Sequence, residues 1–546
     1  MGKINRFTIY ILIIFSIFTI GLALAGYFQI GLLSDDYFNI NGSIHSSLAD
    51  KLTGNLPFTN SYHLRTTFYM SMESSNYLHN LLGYSYDDFL LYRIQNLLLY
   101  LILAYIAGRI ILLITEHLSV ALLTSLTIIV FPNNINNICW VAARVELLCG
   151  IFFLIALFYA FKYVKEGNQT AFVSCLISFI AALLTKEISI TIPLITAILI
   201  FAFYGKDMLL KNKMIIIVQF ALLLVYVFYK IIILGNNVGE MLTLYQASPL
   251  SNAPGILARA AIALSMPMDY LTLNISLRNK DPLLMLYLAS LYGALFYLIS
   301  VMVRNEIYKY MGYMALAAII LLVPNIYIGY IRTQMILVPF IILTILLYWT
   351  YDHQIKNSIH INKMLLKGFF AVALCFWCYW SYTNVSDWAY SYAKGKQEMV
   401  ELINTHIDEG KRTIIIGNPG RYRQAFLFDK LTGAYNYWKN KDFVIKDTIN
   451  DIVQTGALDE ASLSAKLNYK ELQPGEFEIS TTGISQYFYI EGYDNEKIKE
   501  GFKNREMSVE FMEFNILNKP TKLNLKMLTS QIKCFLCGEF KFTRIY

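Results

Sequence analysis

The sequence predicts a polytopic α-helical membrane protein of about eleven transmembrane helices, followed by a C-terminal α/β domain outside the cytoplasm. Three observations predict it. Hydrophobic residues fill 56% of the 546 positions and charged residues only 15%, against roughly 25% charge in a soluble domain, which excludes a soluble globular enzyme and a disordered chain alike. Apolar runs approaching the ~20 residues of a bilayer crossing recur through the first 386 positions. Lys and Arg collect in alternate loops, the asymmetry that orients membrane helices.

The first run extends from Phe7 to Leu33, too long for the apolar stretch of a signal peptide, and reads as a retained helix. Further spans are expected at about 91–114, 118–132, 145–164, 170–186, 188–204, 214–234, 284–303, 310–325, 335–351 and 368–386, with broken or tilted helices around Pro132 and Lys186. With Lys3 and Arg6 in the cytoplasm, alternate loops place Lys162 and Lys165, Lys206 to Lys213, Arg304 and Lys309, and Lys356 to Lys367 on the same side. The opposite side receives a long first loop, 34–90, rich in acids. An odd number of spans then puts residues 387–546 outside. That stretch is charged and rich in short β-type runs, and reads as a soluble α/β domain joined to a membrane domain spanning 1–386. Seven cysteines do not form a disulfide scaffold. Cys534 and Cys537 make a lone CxxC, open to a local disulfide or, more weakly, to zinc.

The first outer loop carries the strongest chemical signal. Asp35 and Asp36 follow the first apolar run directly, two like charges at the expected membrane edge. Such a pair suits a general base or a metal ligand, while a helix cap or a solvated loop start is the plainer reading. About 55 residues separate the first two spans, far beyond an ordinary connection. The apolar stretches Thr67–Met72 and Tyr77–Leu82 suit helices lying along the interface. Arg65 and Arg93 bring guanidinium groups, whose forked donors match phosphate, towards the same rim, where each equally suits an interfacial anchor.

Further charges fall at the outer ends of later spans: Arg144 and Glu146 after Trp140, Lys186 and Glu187 between the fifth and sixth spans, and Arg332 before Pro339. Charges this close to hydrocarbon are costly unless paired or functional. Mutual neutralisation within Arg144/Glu146 and Lys186/Glu187 is one reading, and an anionic headgroup site is the other.

Taken together, Asp35-Asp36, the long loop with Arg65, Trp140–Glu146, Leu183–Glu187, Ala263–Tyr270 and Arg332 before Pro339 resemble the GT-C membrane glycosyltransferases. The closest likeness is to protein O-mannosyltransferases, their tetratricopeptide-linked relatives and bacterial lipid A or O-antigen transferases, and it covers about residues 1–350. The resemblance implies a sugar transferred with inversion from a polyprenyl phosphate donor on the extracytoplasmic face. Asp35 would be the catalytic carboxylate and Asp36 its assistant. Arg65, Arg144, Lys186 and Arg332 would hold the departing lipid phosphate, with Glu146, Glu187 and Arg93 in support. The family commonly pairs Asp with Glu where this chain has Asp-Asp, which leaves the acting carboxylate open. Metal use varies in the family, so a divalent cation at Asp35 or Asp36 stays an open alternative.

No Walker or Rossmann motif offers a nucleotide site, and no nucleic-acid partner is expected. The heavy use of Ile, Asn, Lys and Tyr points to a bacterial source, hence to undecaprenyl phosphate and the inner membrane. The acceptor is expected to be O-antigen or another surface polysaccharide. Protein O-glycosylation, glycan polymerisation or ligation, and transport of a lipid-linked glycan are the alternatives. In the last domain, Gly417-Asn418-Pro419-Gly420 reads as a tight turn at a strand end, followed by Arg421 and Arg423. Tyr435, Tyr437 and Trp438 read as core residues before sugar-stacking ones.

Overall fold

The computed structural model describes the chain apart from residues 1, 34, 55, 57–63, 86, 235–252, 269–271, 274–275, 278–279, 305–307, 329–330, 356–362, 405–412, 424, 428–430, 441–448, 458–464, 475, 483–485, 490–501, 504–506, 514–521, 528–532, 539–540 and 545–546. Asp269 within the Ala263–Tyr270 stretch, Tyr330 ahead of Arg332, and Tyr62-His63 ahead of Arg65 lie outside the described residues. The chain divides into two compact units. The first comprises Met1–Ala25, His45–Ser75 and Leu91–Thr383; the second comprises Gly26–Ile44, Asn76–Leu90 and Asn384–Tyr546.

The first unit is helical, and the chain is a polytopic membrane protein. A helix lies on each of the eleven expected segments. Among the described residues seven are long and apolar enough to cross a bilayer: Lys3–Leu24, Leu90–Thr115, Val141–Glu166, Glu187–Lys211, Lys213–Ile232, Tyr310–Tyr327 and Thr333–His353. Gln169–Leu183, Ala253–Ser265 and Pro282–Ala294 are shorter apolar helices. The segment around Pro132 is broken as its proline suggests: Leu118–Val130 and Pro132–Cys139 meet at 63°.

The first helix ends earlier than its hydrophobicity predicts. It stops at Leu24, and Gly26 turns the chain with φ 87° into the 3-10 turn Tyr27–Gln29. Glycine alone takes that backbone geometry without strain. Hydrophobic residues continue to Leu33, but they pack inside a folded loop, so Asp35 does not follow the membrane helix directly.

Helix packing in this unit is tight where residues are small. Gly108, on the helix Leu90–Thr115, has no room for a side chain: a Cβ would lie 2.6 Å from Phe7 and 3.0 Å from the Ala121 carbonyl. Overpacking of this kind costs about 1–3 kcal/mol. Gly108→Ala is therefore expected to lower the unfolding midpoint in detergent, and an unchanged midpoint would show that these helices have slack. At one end of the unit, Lys165 and Lys3 pair with Glu116 at 3.0 and 3.8 Å, and His117 Nδ1 lies 2.7 Å from Asp352. The N-terminus, the 115–117 turn and the end of the helix Arg144–Glu166 thus share one end of the bundle. The start of that 23-residue helix lies about 33 Å away along its axis, where the candidate cations are.

The second unit combines two sheets with helices. One sheet runs β11 (Lys541–Arg544), β10 (Lys533–Gly538), β1 (Thr413–Tyr422), β3 (Ile449–Ala457) and β6 (Gln486–Tyr489), with β1 parallel to both β3 and β10 and paired also with the short β2 (Ala425–Phe426). The other is antiparallel, β4-β5-β9-β8-β7, built from Leu467–Gln473, Glu476–Thr481, Lys522–Met527, Met507–Glu513 and Phe502–Lys503. Gly417–Gly420 is not the expected turn: β1 continues through it, absorbing glycine and proline as register shifts against β3. The CxxC expectation also changes. Cys534 and Cys537 belong to one strand, which separates their α-carbons by about 10 Å, beyond the ~7 Å reach of a disulfide.

Two pieces of the long first loop belong to this second unit, and aromatic packing explains why. The helix Asp36–Ile44 packs on the helix Leu431–Asn440: Trp438 donates its indole N–H to the Tyr37 hydroxyl at 2.9 Å, and the Tyr37 and Tyr437 rings lie 5.3 Å apart. Phe89 adds a contact with Tyr437 at 6.1 Å. Tyr435, Tyr437 and Trp438 are all buried, as core aromatics. The helix Lys363–Asn404 runs unbroken through the expected 386/387 domain boundary.

Candidate active site

The two loop acids occupy different environments. Asp36 is fully buried at the start of the helix Asp36–Ile44, and its carboxylate accepts the Leu33 backbone N–H at 2.9 Å. The Asp36 N–H returns a bond to the Leu33 carbonyl at 3.0 Å, which closes the turn. Asp35 is half-buried, and its carbonyl accepts from both the backbone and the side chain of Asn39. Asp36 therefore shapes the loop, while Asp35 has solvent access. Both belong to the second unit.

The cations belong to the first unit and form two groups. In one, Lys186 pairs with Glu146, both nearly buried, and Lys230 pairs with Glu187 at 3.6 Å. Tyr226 lies within electrostatic reach of Glu187 and Arg65, and Cys149 within reach of Glu146, Lys186 and Glu187. The start of the helix Thr66–Leu81 is fastened beside them, with the Thr67 N–H donating to the Leu184 carbonyl at 3.3 Å. Arg65 thus lies in the neighbourhood of the pairs Lys186–Glu146 and Lys230–Glu187. Both acids reach cations on other elements, Glu146 to Lys186 and Glu187 to Lys230.

The second group centres on Trp140. Arg144 is 1% exposed. Its Nε donates to Asn96 Oδ1 at 2.7 Å, one terminal nitrogen donates to Ser75 Oγ at 2.5 Å and to Ser71, and the other reaches the Tyr92 carbonyl at 3.4 Å. Arg93, also fully buried, donates to the Ile138 carbonyl at 3.2 Å and to that of Cys139, capping the helix Pro132–Cys139. It is a core group rather than an interfacial anchor. Arg332 is half-buried, with its guanidinium 5.8 Å from the Trp140 ring centre.

One geometric regularity joins these residues. Arg144 opens the helix Arg144–Glu166, Lys186 caps the 3-10 turn Glu187–Thr191, and Arg332 caps the turn Thr333–Ile336. Each turn or helix leads into a long apolar helix. Helix N-termini carry partial positive charge, so a cation there is unfavourable unless an anion is shared. Glu146 and Glu187 in the first turns offset part of the charge, and an anionic ligand is the natural complement to the rest.

Sequence reasoning found Arg65, Arg144, Lys186 and Arg332 but missed Lys230. A lone lysine in the apolar run 214–234 was the available signal, since such a charge marks a partner or a site. Among the described residues no group of three or more His, Cys, Asp or Glu side chains is placed to hold a metal ion.

No protein-family model matches the chain, and no curated protein matches it. The site itself therefore carries the functional argument.

Proposed function

We propose that the protein is a GT-C-type membrane glycosyltransferase. It would take a sugar from a polyprenyl phosphate, undecaprenyl phosphate in a bacterial inner membrane, and pass it to a cell-envelope acceptor such as O-antigen or another surface polysaccharide. The observation that supports this reading most is the set of cations at three helix starts, Arg144, Lys186 and Arg332, with Lys230 and Arg65 near the second of them. A phosphate at the membrane edge is the ligand that such an arrangement favours. A transporter would place its ionisable groups near the bilayer midplane in broken helices, whereas here, Lys230 apart, they gather at helix starts.

In the proposed reaction, the acceptor hydroxyl attacks the anomeric carbon and its proton goes to Asp35. The bond from that carbon to the phosphate oxygen breaks with inversion, and the electron pair leaves on the lipid phosphate. Arg332, Lys186, Lys230 and Arg65 stabilise the charge that grows there, an effect enhanced where water is scarce. Arg144, whose donors are engaged by Asn96, Ser71, Ser75 and Tyr92, acts as a positioning residue for the helix starts. Asp36 holds the loop that presents Asp35. The N-terminus would be cytoplasmic and both acids outside.

The test is a transfer assay with purified protein and a polyprenyl-phosphate-linked sugar. Lys230→Met is expected to raise the donor KM by about tenfold, the loss of one charge-assisted hydrogen bond, with the protein still folded. A donor KM equal to wild type would remove Lys230 from the phosphate site.

A further inference from the structure

The second unit holds a cavity of about 340 Å³ that the reaction above does not use. It is lined by the stretch Phe28–Gly31, by Asp87, Asp88 and Phe89, and by Tyr392 and Lys396 of the helix Lys363–Asn404. That volume is at the small end of ligand pockets, sized for one or two sugar rings and too small for a lipid tail or a folded partner.

Its walls are specific in charge and shape. The Lys396 ammonium lies 3.6 Å from the Asp87 carboxylate, with both side chains about two-fifths exposed, and 5.3 Å from the Trp438 ring centre. Asp88 is fixed, its carboxylate accepting the Leu90 N–H at 3.0 Å and its carbonyl meeting His79 Nε2 at 2.7 Å. Asp87 is held by Ser85 at 2.9 Å on the open side. The Tyr392 ring lies directly against the backbone of Gly31, where any Cβ would overlap it. Two carboxylates against one ammonium disfavour an anion, and the charges disfavour an apolar ligand. Acceptors, an ammonium donor and an amide beside aromatic faces suit a neutral, hydroxyl-rich ring.

We infer that this cavity is a sugar-binding subsite. Resting on the reaction proposed above, it seats the acceptor glycan. Gly31 and Asp35 are four residues apart, so the pocket wall lies within about 14 Å of the proposed base, roughly the reach of the next ring.

Saturation-transfer NMR on the purified full-length protein, without donor lipid, tests the subsite. The probes are methyl α-glucoside, methyl α-galactoside, methyl α-mannoside and N-acetylglucosamine. At least one is expected to bind wild type, and Asp87→Ala and Lys396→Ala should each weaken it by about tenfold. Gly31→Leu, which must displace Tyr392, should abolish binding; the two surface variants keep the test decisive if it fails to fold. Absence of binding by every probe, or wild-type affinity in both surface variants, overturns the subsite even if sugar transfer is observed. Probe binding that depends on Asp87, in a protein unable to use any polyprenyl phosphate donor, upholds the subsite and overturns only its assignment to the acceptor.

Discussion

Replacing Asp35 with Asn is expected to reduce sugar transfer by about 10²–10⁴-fold, the contribution of a positioned general base, while donor affinity holds. Asn keeps the size and polarity of the side chain but cannot take the acceptor's proton. Asp36→Asn should behave differently, because Asp36 is buried and uses its carboxylate on the Leu33 N–H. An Asn oxygen can still accept that bond, so the loss there should be smaller and should come with reduced thermal stability. Equal turnover in Asp35→Asn and wild type would remove the base from the scheme. A larger rate loss at Asp36 with intact folding would reverse the roles of the two acids.

Lys186→Met is expected to be the most damaging single change for the fold. It leaves the Glu146 carboxylate, 6% exposed, without the ammonium that accompanies it. Breaking one side of a buried pair costs about 3–5 kcal/mol, chiefly because the remaining charge is stranded. Lys186→Met with Glu146→Leu removes both charges and should recover most of that stability. If Lys186 also serves the departing phosphate, the double variant will fold and still transfer sugar poorly. A double variant with wild-type activity would make the pair purely structural. Unfolding midpoints in detergent, read beside the transfer rate, separate these results.

The architecture of the membrane unit could be read from composition because it follows from one-dimensional facts: apolar length, proline breaks and loop charge. The position of the bend at Pro132 is an example. Hydrophobicity misplaced the end of the first helix, since the stretch up to Leu33 is apolar for the sake of a folded loop and Gly26 decides the break through its backbone. Pairing among charges was not legible either. Residues one or two apart on a helix do not face one another, so Glu146 meets Lys186 and Glu187 meets Lys230 across elements far apart in sequence. The same holds for the second unit. Nothing local to Tyr37 shows that it packs on Tyr437 and Trp438, four hundred residues later. Nor did Gly417–Gly420 show that its glycines and proline would be carried inside a strand.

The individual acids and cations were visible as expensive charges near apolar sequence. Their division of labour required burial and partners. Arg144 and Arg93 read from the sequence as rim groups, and burial makes them core groups. Arg332 keeps partial exposure beside Trp140, and Lys230 came into view only through its acid partner.

Donor choice is the decisive measurement for the proposed reaction. Purified protein is offered a labelled sugar either on a polyprenyl phosphate or on a nucleotide, and release of the carrier is followed over time. Sugar is expected to leave the polyprenyl phosphate alone, with free lipid phosphate appearing in step. Consumption of the nucleotide sugar, or a lipid-linked sugar left intact across a broad panel of sugars and acceptors, would contradict it.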